Sequence, residues 1–84
     1  MKEEWRPVKG YEGLYEVSNT ARARSVDRYD HRGTFRKGVE LKIRIYEGEP
    51  YVRLSRYGRS VERNLYRLMS KVFEASEWKL DDEE

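Results

Sequence analysis

The chain has 84 residues, 40% of them charged, 37% hydrophobic and 13% aromatic, with a net charge of +2, which bounds it to one small, polar but ordered domain. It has no cysteine and one histidine, His31, which excludes disulfides and thiolate metal sites and leaves too few ligands for an ordinary zinc site. No apolar run approaches the roughly 20 residues that span a bilayer, and MKEEWRPVKG lacks a signal-peptide core, so a cytoplasmic protein with no membrane association is expected.

In chain order, Pro7, Gly10 and Gly13 are the first turn signals. LYEVS (14–18) alternates apolar and polar residues as a short strand does. Asn19-Thr20 supplies a turn, and RARSV (22–26) reads as the antiparallel return. Residues 27–38, DRYDHRGTFRKG, show no apolar period and read as an exposed loop. VELKIRIY (39–46) is the clearest strand, with Val39, Leu41, Ile43 and Ile45 on one face and Lys42 and Arg44 on the other. YVRLSR (51–56) repeats the pattern with Val52 and Leu54 inward, and Tyr57-Gly58 turns the chain into a last strand, SVERNL.

The period then changes. Leu65, Leu68, Met69, Val72 and Phe73 form one helical stripe, with Asn64 as its cap, and predict a helix over about 65–75. WKLDDEE reads as a frayed end from which Trp78 and Leu80 can dock on the core. The expected fold class is α+β: a small antiparallel sheet of about four or five strands, with one C-terminal helix packed on one face. Residues 1–76 form the domain and 77–84 an acidic tail.

Charge is distributed unevenly. Residues 20–73 carry fourteen Lys/Arg against six Asp/Glu, whereas residues 74–84 carry one Lys against six acids. A basic body of this kind suits a polyanion. The outward strand face carries Lys42, Arg44, Arg53 and Arg63, with Tyr46, Tyr51 and Tyr57 nearby. Cations on alternate strand positions meet phosphates, and arginine forks onto guanine edges in a major groove wide enough for a two-stranded ribbon. The competing reading is of edge strands kept apart by outward charge.

No Ser/His/Asp or Cys/His constellation exists, and GYEG lacks the spacing and lysine of a phosphate loop. Asp27 and Asp30 lie in a loop with Arg28 and Arg32, and read as solvated rather than metal-binding. Neither catalysis nor any cofactor or metal is expected.

EEWRPVKGYEGLYEVSNTARARSVDR resembles the nuclease-associated modular DNA-binding motif of the fourth type, found at the N-terminus of phage and intron-encoded HNH homing endonucleases. Trp5, Lys9, Gly10, Tyr11, Glu12, Gly13, Tyr15, Val17, Ser18 and Asn19 match that pattern in order, and Arg22, Arg24 and Ser25 match its end. LKIRIY, YVRLSRYGR and YRLMSKVF keep the family's later order, so the resemblance covers about 5–73. Three departures stand out. Ala21 replaces the glycine of the turn, Tyr66 replaces the histidine that opens the helix, and the chain ends where the nuclease's Asn-His and metal-binding Asn are expected.

The resemblance implies a non-catalytic, phage- or prophage-type module that binds double-stranded DNA. Its expected contacts are Arg22, Arg24, Lys42, Arg44, Arg53, Arg56, Arg59 and Arg63, and neutralising about six phosphates gives a log–log salt slope of roughly −5. Tyr11, Tyr15, Val17, Leu41, Ile43, Leu54, Leu68 and Phe73 are its expected scaffold. Two alternatives stand beside it: a small phage inhibitor that binds a host or phage nucleic-acid enzyme, and a fragment of a full HNH endonuclease. A homodimer is left open.

Overall fold

A computed structural model describes residues 2–78. Eight short strands and two helices follow in order: β1 (Trp5–Pro7), β2 (Tyr15–Ser18), β3 (Ala23–Ser25), β4 (Arg28–Tyr29), β5 (Phe35–Arg36), β6 (Arg44–Tyr46), β7 (Glu49–Arg56), β8 (Arg59–Asn64), α1 (Leu65–Val72) and α2 (Ala75–Trp78). All strand pairs are antiparallel. They form three sheets, β1-β2-β3, β4-β5 and β6-β7-β8, where the sequence predicts one sheet.

The sheet divides because the predicted 39–46 strand is shared. Its first part runs beside β3, where Ser25 N–H donates to the Val39 carbonyl and Leu41 N–H to the Ala23 carbonyl, each at 2.8 Å. Its last part, Arg44–Tyr46, pairs with β7 instead. Gly38 permits the approach to β3: a Cβ there would lie 2.3 Å from the Ser25 carbonyl oxygen. The expected inward row divides in the same way. Leu41 and Ile43 pack against the core, whereas Val39 and Ile45 are 60% and 69% exposed and lie outside it.

One hydrophobic cluster joins the elements. Tyr15, Val17 and Ala23 come from β2 and β3, Val52 and Leu54 from β7, and Leu65, Leu68 and Met69 from α1, with Val8 and Phe73 completing it. The Tyr15 hydroxyl, itself buried, accepts the Ser55 N–H at 2.9 Å and so ties the first sheet to the third. The predicted cap of α1 is present, as the Asn64 side chain accepts from the Arg67 N–H at 3.1 Å. The helix ends at Val72, earlier than the predicted 75, and Trp78 stacks on Tyr66 with ring centroids 5.5 Å apart. Leu80 and residues 79–84, most of the expected acidic tail, lie outside the described residues.

Two features had no signal in the hydrophobic pattern. β1 is only Trp-Arg-Pro, and it is held through Asn19. That side chain accepts the Glu4 N–H at 2.8 Å and donates to the Lys2 carbonyl at 3.2 Å, while the Asn19 N–H donates to the Glu4 carbonyl at 3.1 Å. The expected 27–38 loop contains the β4–β5 hairpin.

Candidate nucleic-acid interface

The β2–β3 hairpin turns through three residues, Asn19-Thr20-Ala21. The Ala21 N–H donates to the Ser18 carbonyl at 3.3 Å, and the Ser18 N–H to the Arg22 carbonyl at 2.8 Å. Ala21 has φ 64°, the left-handed conformation that such a loop needs at its last position and that glycine adopts without strain. The buried Ser18 hydroxyl accepts the N–H groups of Thr20 and Arg22 inside the turn, so Val-Ser-Asn acts as a structural unit.

The arginines that follow this turn are brought together over Trp5, with guanidinium centres 3.9 Å (Arg24) and 5.5 Å (Arg22) from its ring centroid. Each is also held by carboxylates. Arg22 forks onto Glu40 through Nε at 3.0 Å and Nη2 at 2.9 Å, and reaches Glu3 through Nη1 at 2.9 Å. Arg24 pairs with Glu16 at 2.7 Å. The hydrogen bond from Arg22 holds the Glu40 carboxyl below its usual range, and the Thr20 hydroxyl does the same for Glu3. Three carboxylates therefore face two guanidinium groups, and this groove is not a free cationic surface.

The remaining predicted cations belong to the third sheet and the strand leading into it. β7 and β8 pair from Tyr51↔Asn64 to Arg56↔Arg59, and β6 adds Arg44↔Tyr51. Both connecting turns, Glu47-Gly48 and Tyr57-Gly58, have positive φ at both residues, the mark of tight hairpins that follow the strand twist. Alternation across the pleat turns Val52 and Leu54 into the core. It leaves Arg44, Tyr46, Tyr51, Arg53 and Ser55 on the other side, as expected for Arg44 and Arg53. Tyr46 and Tyr51 meet edge to face with centroids 6.2 Å apart. Arg44 touches Glu62 at 3.4 Å, with both side chains exposed.

Arg63 is registered with Val52 and Arg59 with Arg56, so both alternate to the side opposite Arg53 rather than sharing its face. Arg56 is committed to the scaffold: it donates to the Gly10 carbonyl and lies 5.5 Å from the Tyr11 ring and 4.8 Å from the Tyr57 ring. Among the described residues, Lys42, Arg53, Arg59 and Arg63 have no carboxylate within ion-pair distance. The eight predicted residues thus fall into two arginines held in the Trp5 cluster (Arg22, Arg24), one in an exposed pair with Glu62 (Arg44), a scaffold contact (Arg56) and four without a carboxylate partner (Lys42, Arg53, Arg59, Arg63).

Arg6, which carries no signal in the sequence, caps α1. It donates to the Val72 carbonyl at 2.6 Å, pairs with Glu77 at 2.9 Å and lies 4.4 Å from the Phe73 ring centroid. Nothing in Trp-Arg-Pro points to a partner 66 residues away. Among the described residues no group of three His, Cys, Asp or Glu is placed to hold a metal ion, and no helix is long and apolar enough to cross a membrane.

The short antiparallel sheets and the Lys-Gly-Tyr-Glu-Gly to Arg-Ala-Arg-Ser hairpin define the class. The sequence pattern of the NUMOD4 motif matches residues 3–55, and the chain belongs to that family. Among solved structures, one described as "DNA binding and cleavage by the HNH homing endonuclease I-HmuI" is similar at 31% identity and a TM-score of 0.61. The match covers 83% of this chain and 36% of that one, so the present chain spans about a third of its neighbour's length. No curated protein matches.

Proposed function

We propose that this chain is a double-stranded DNA-binding module of the homing-endonuclease kind, with no catalysis of its own, that meets DNA through the outward side of β6-β7-β8. The observation that carries this reading is the row Arg44, Tyr46, Tyr51 and Arg53 on one sheet face, with Lys42 just before it. Family membership supports it, as does the likeness to a homing endonuclease described as binding and cleaving DNA. Phosphates take the cations, and a two-stranded ribbon fits the major groove.

Arg22, Arg24 and Arg56 are engaged within the protein, and Arg59 and Arg63 lie on the side opposite Arg53. Lys42, Arg44 and Arg53 remain as phosphate contacts, the exposed Arg44–Glu62 pair being weak enough to yield to a phosphate. Three such contacts give a log–log salt slope of about −3, shallower than the roughly −5 that the sequence alone suggests. Fluorescence anisotropy with a labelled duplex at several salt concentrations tests this. A salt-independent response, or no binding at low salt, overturns the reading. Supercoiled plasmid incubated with the chain and magnesium is expected to stay intact; nicking would contradict the non-catalytic part.

A further inference from the structure

The β4–β5 hairpin has no place in the interface described above. It is two residues deep on each side, with Arg28 opposite Arg36 and Tyr29 opposite Phe35. So short a hairpin has little stability of its own, yet this one is braced at both ends. At the tip, the Asp30 Oδ1 accepts the N–H groups of Arg32 and Thr34, each at 2.9 Å, and Oδ2 accepts Arg36 Nε at 3.1 Å. At the base, the Asp27 carboxylate accepts the Gly38 N–H at 2.6 Å. Both acids of the segment are therefore spent on holding its shape. Arg28, Arg32 and Lys37 have no carboxylate within ion-pair distance among the described residues.

On this braced arm the aromatic pair is left in water. Tyr29 is 71% and Phe35 50% exposed, and their rings meet edge to face with centroids 5.4 Å apart. Neither belongs to the core cluster. Exposed aromatics among unpaired cations suit nucleic acid, where rings wedge at base steps while cations meet the flanking phosphates.

We propose that the β4–β5 hairpin is a second DNA-contacting arm, which enters a groove and packs Tyr29 and Phe35 against a partly unstacked base step. The proposal rests on the DNA-binding reading above, but on residues separate from the sheet face. It separates two contributions. The aromatic contact displaces no counterion, so its loss lowers affinity without changing the salt slope, whereas loss of the cations changes the slope.

The test uses the full chain, an anisotropy titration against a labelled duplex over a range of salt, and circular-dichroism melting. The double variant Tyr29→Ala/Phe35→Ala is expected to melt like the parent and to bind about tenfold more weakly, on a line parallel to the parent's. With Arg32 and Lys37 adding two phosphate contacts to those of the sheet face, the parent slope steepens to about −4.5, and Arg32→Ala/Lys37→Ala is expected to return it to the roughly −3 of the sheet face alone. A duplex carrying 2-aminopurine is expected to brighten with the parent chain and not with the aromatic variant.

Unchanged affinity in the aromatic variant overturns this proposal while leaving the DNA-binding reading standing. No binding by the parent chain overturns both. A lower melting temperature in the aromatic variant overturns the premise that the pair lies outside the core. A dimer of the parent chain that the aromatic variant dissolves, seen by sedimentation, overturns the proposal in favour of a second copy as the occupant.

Discussion

Replacing Ala21 with glycine is expected to stabilise the fold by relieving the turn that leads into Arg22 and Arg24. Ala21 has φ 64°, and the left-handed conformation costs a residue with a Cβ about 1–2 kcal/mol. Glycine removes that cost but loses about 0.4–1 kcal/mol more backbone entropy on folding. The half-buried methyl of Ala21 also packs against the core, and half a buried carbon is worth about 0.4 kcal/mol. The balance favours glycine by about 0.5 kcal/mol, which in a domain of this size raises the melting temperature by roughly 3 °C. Circular-dichroism melts of the parent and Ala21→Gly measure it. Ala21→Val is the opposing control, since a β-branched side chain is a poor occupant of positive φ and lowers the melting temperature. A glycine variant that melts below the parent refutes the strain argument.

Glu47→Asn gives the β6–β7 hairpin the Asn-Gly pair that its positive φ values favour, and is expected to raise stability by about 0.5 kcal/mol in urea melts. Leu54→Ala, at a fully buried position between the sheets and α1, is expected to cost about 2–5 kcal/mol by the same measurement, enough to unfold a domain this small in large part. Hydrogen bonds to Arg22, Thr20 and the Thr34 amide hold Glu40, Glu3 and Asp30 below their usual carboxyl values of 4.5, 4.5 and 3.8. Groups with depressed folded values add stability that is complete above the ordinary value and lost as pH falls below it. Urea midpoints are therefore expected to hold near pH 6 and to fall progressively below about pH 4.5, and Arg22→Ala should make that fall shallower.

What the sequence makes legible follows from periodicity. The stripe Leu65, Leu68 and Met69 is buried as a helix face, and Val52 and Leu54 alternate inward along β7. Asn64 caps the helix as its side chain predicts. The question at Ala21 is also local, because only its own dihedral decides whether the missing glycine matters. What stays hidden depends on groups far apart in the chain. β1 exists because Asn19 reaches back to Lys2 and Glu4, and the 39–46 strand divides where Gly38 lets the backbone meet Ser25. The partners of Arg22, Glu3 and Glu40, lie 19 and 18 residues away, so local charge makes a compensated cluster look cationic. The hairpin at 28–36 escapes a periodicity argument because its stability comes from Asp30 and Asp27 acting on backbone amides.

DNA contact through the outward face of β6-β7-β8 is tested most directly by Arg44→Ala/Arg53→Ala, titrated against a labelled duplex beside the parent chain. Two lost phosphate contacts are expected to flatten the log–log salt slope by about 2 and to weaken binding about tenfold or more at low salt, with an unchanged circular-dichroism spectrum. Superimposable binding lines for the two proteins at every salt concentration would contradict it.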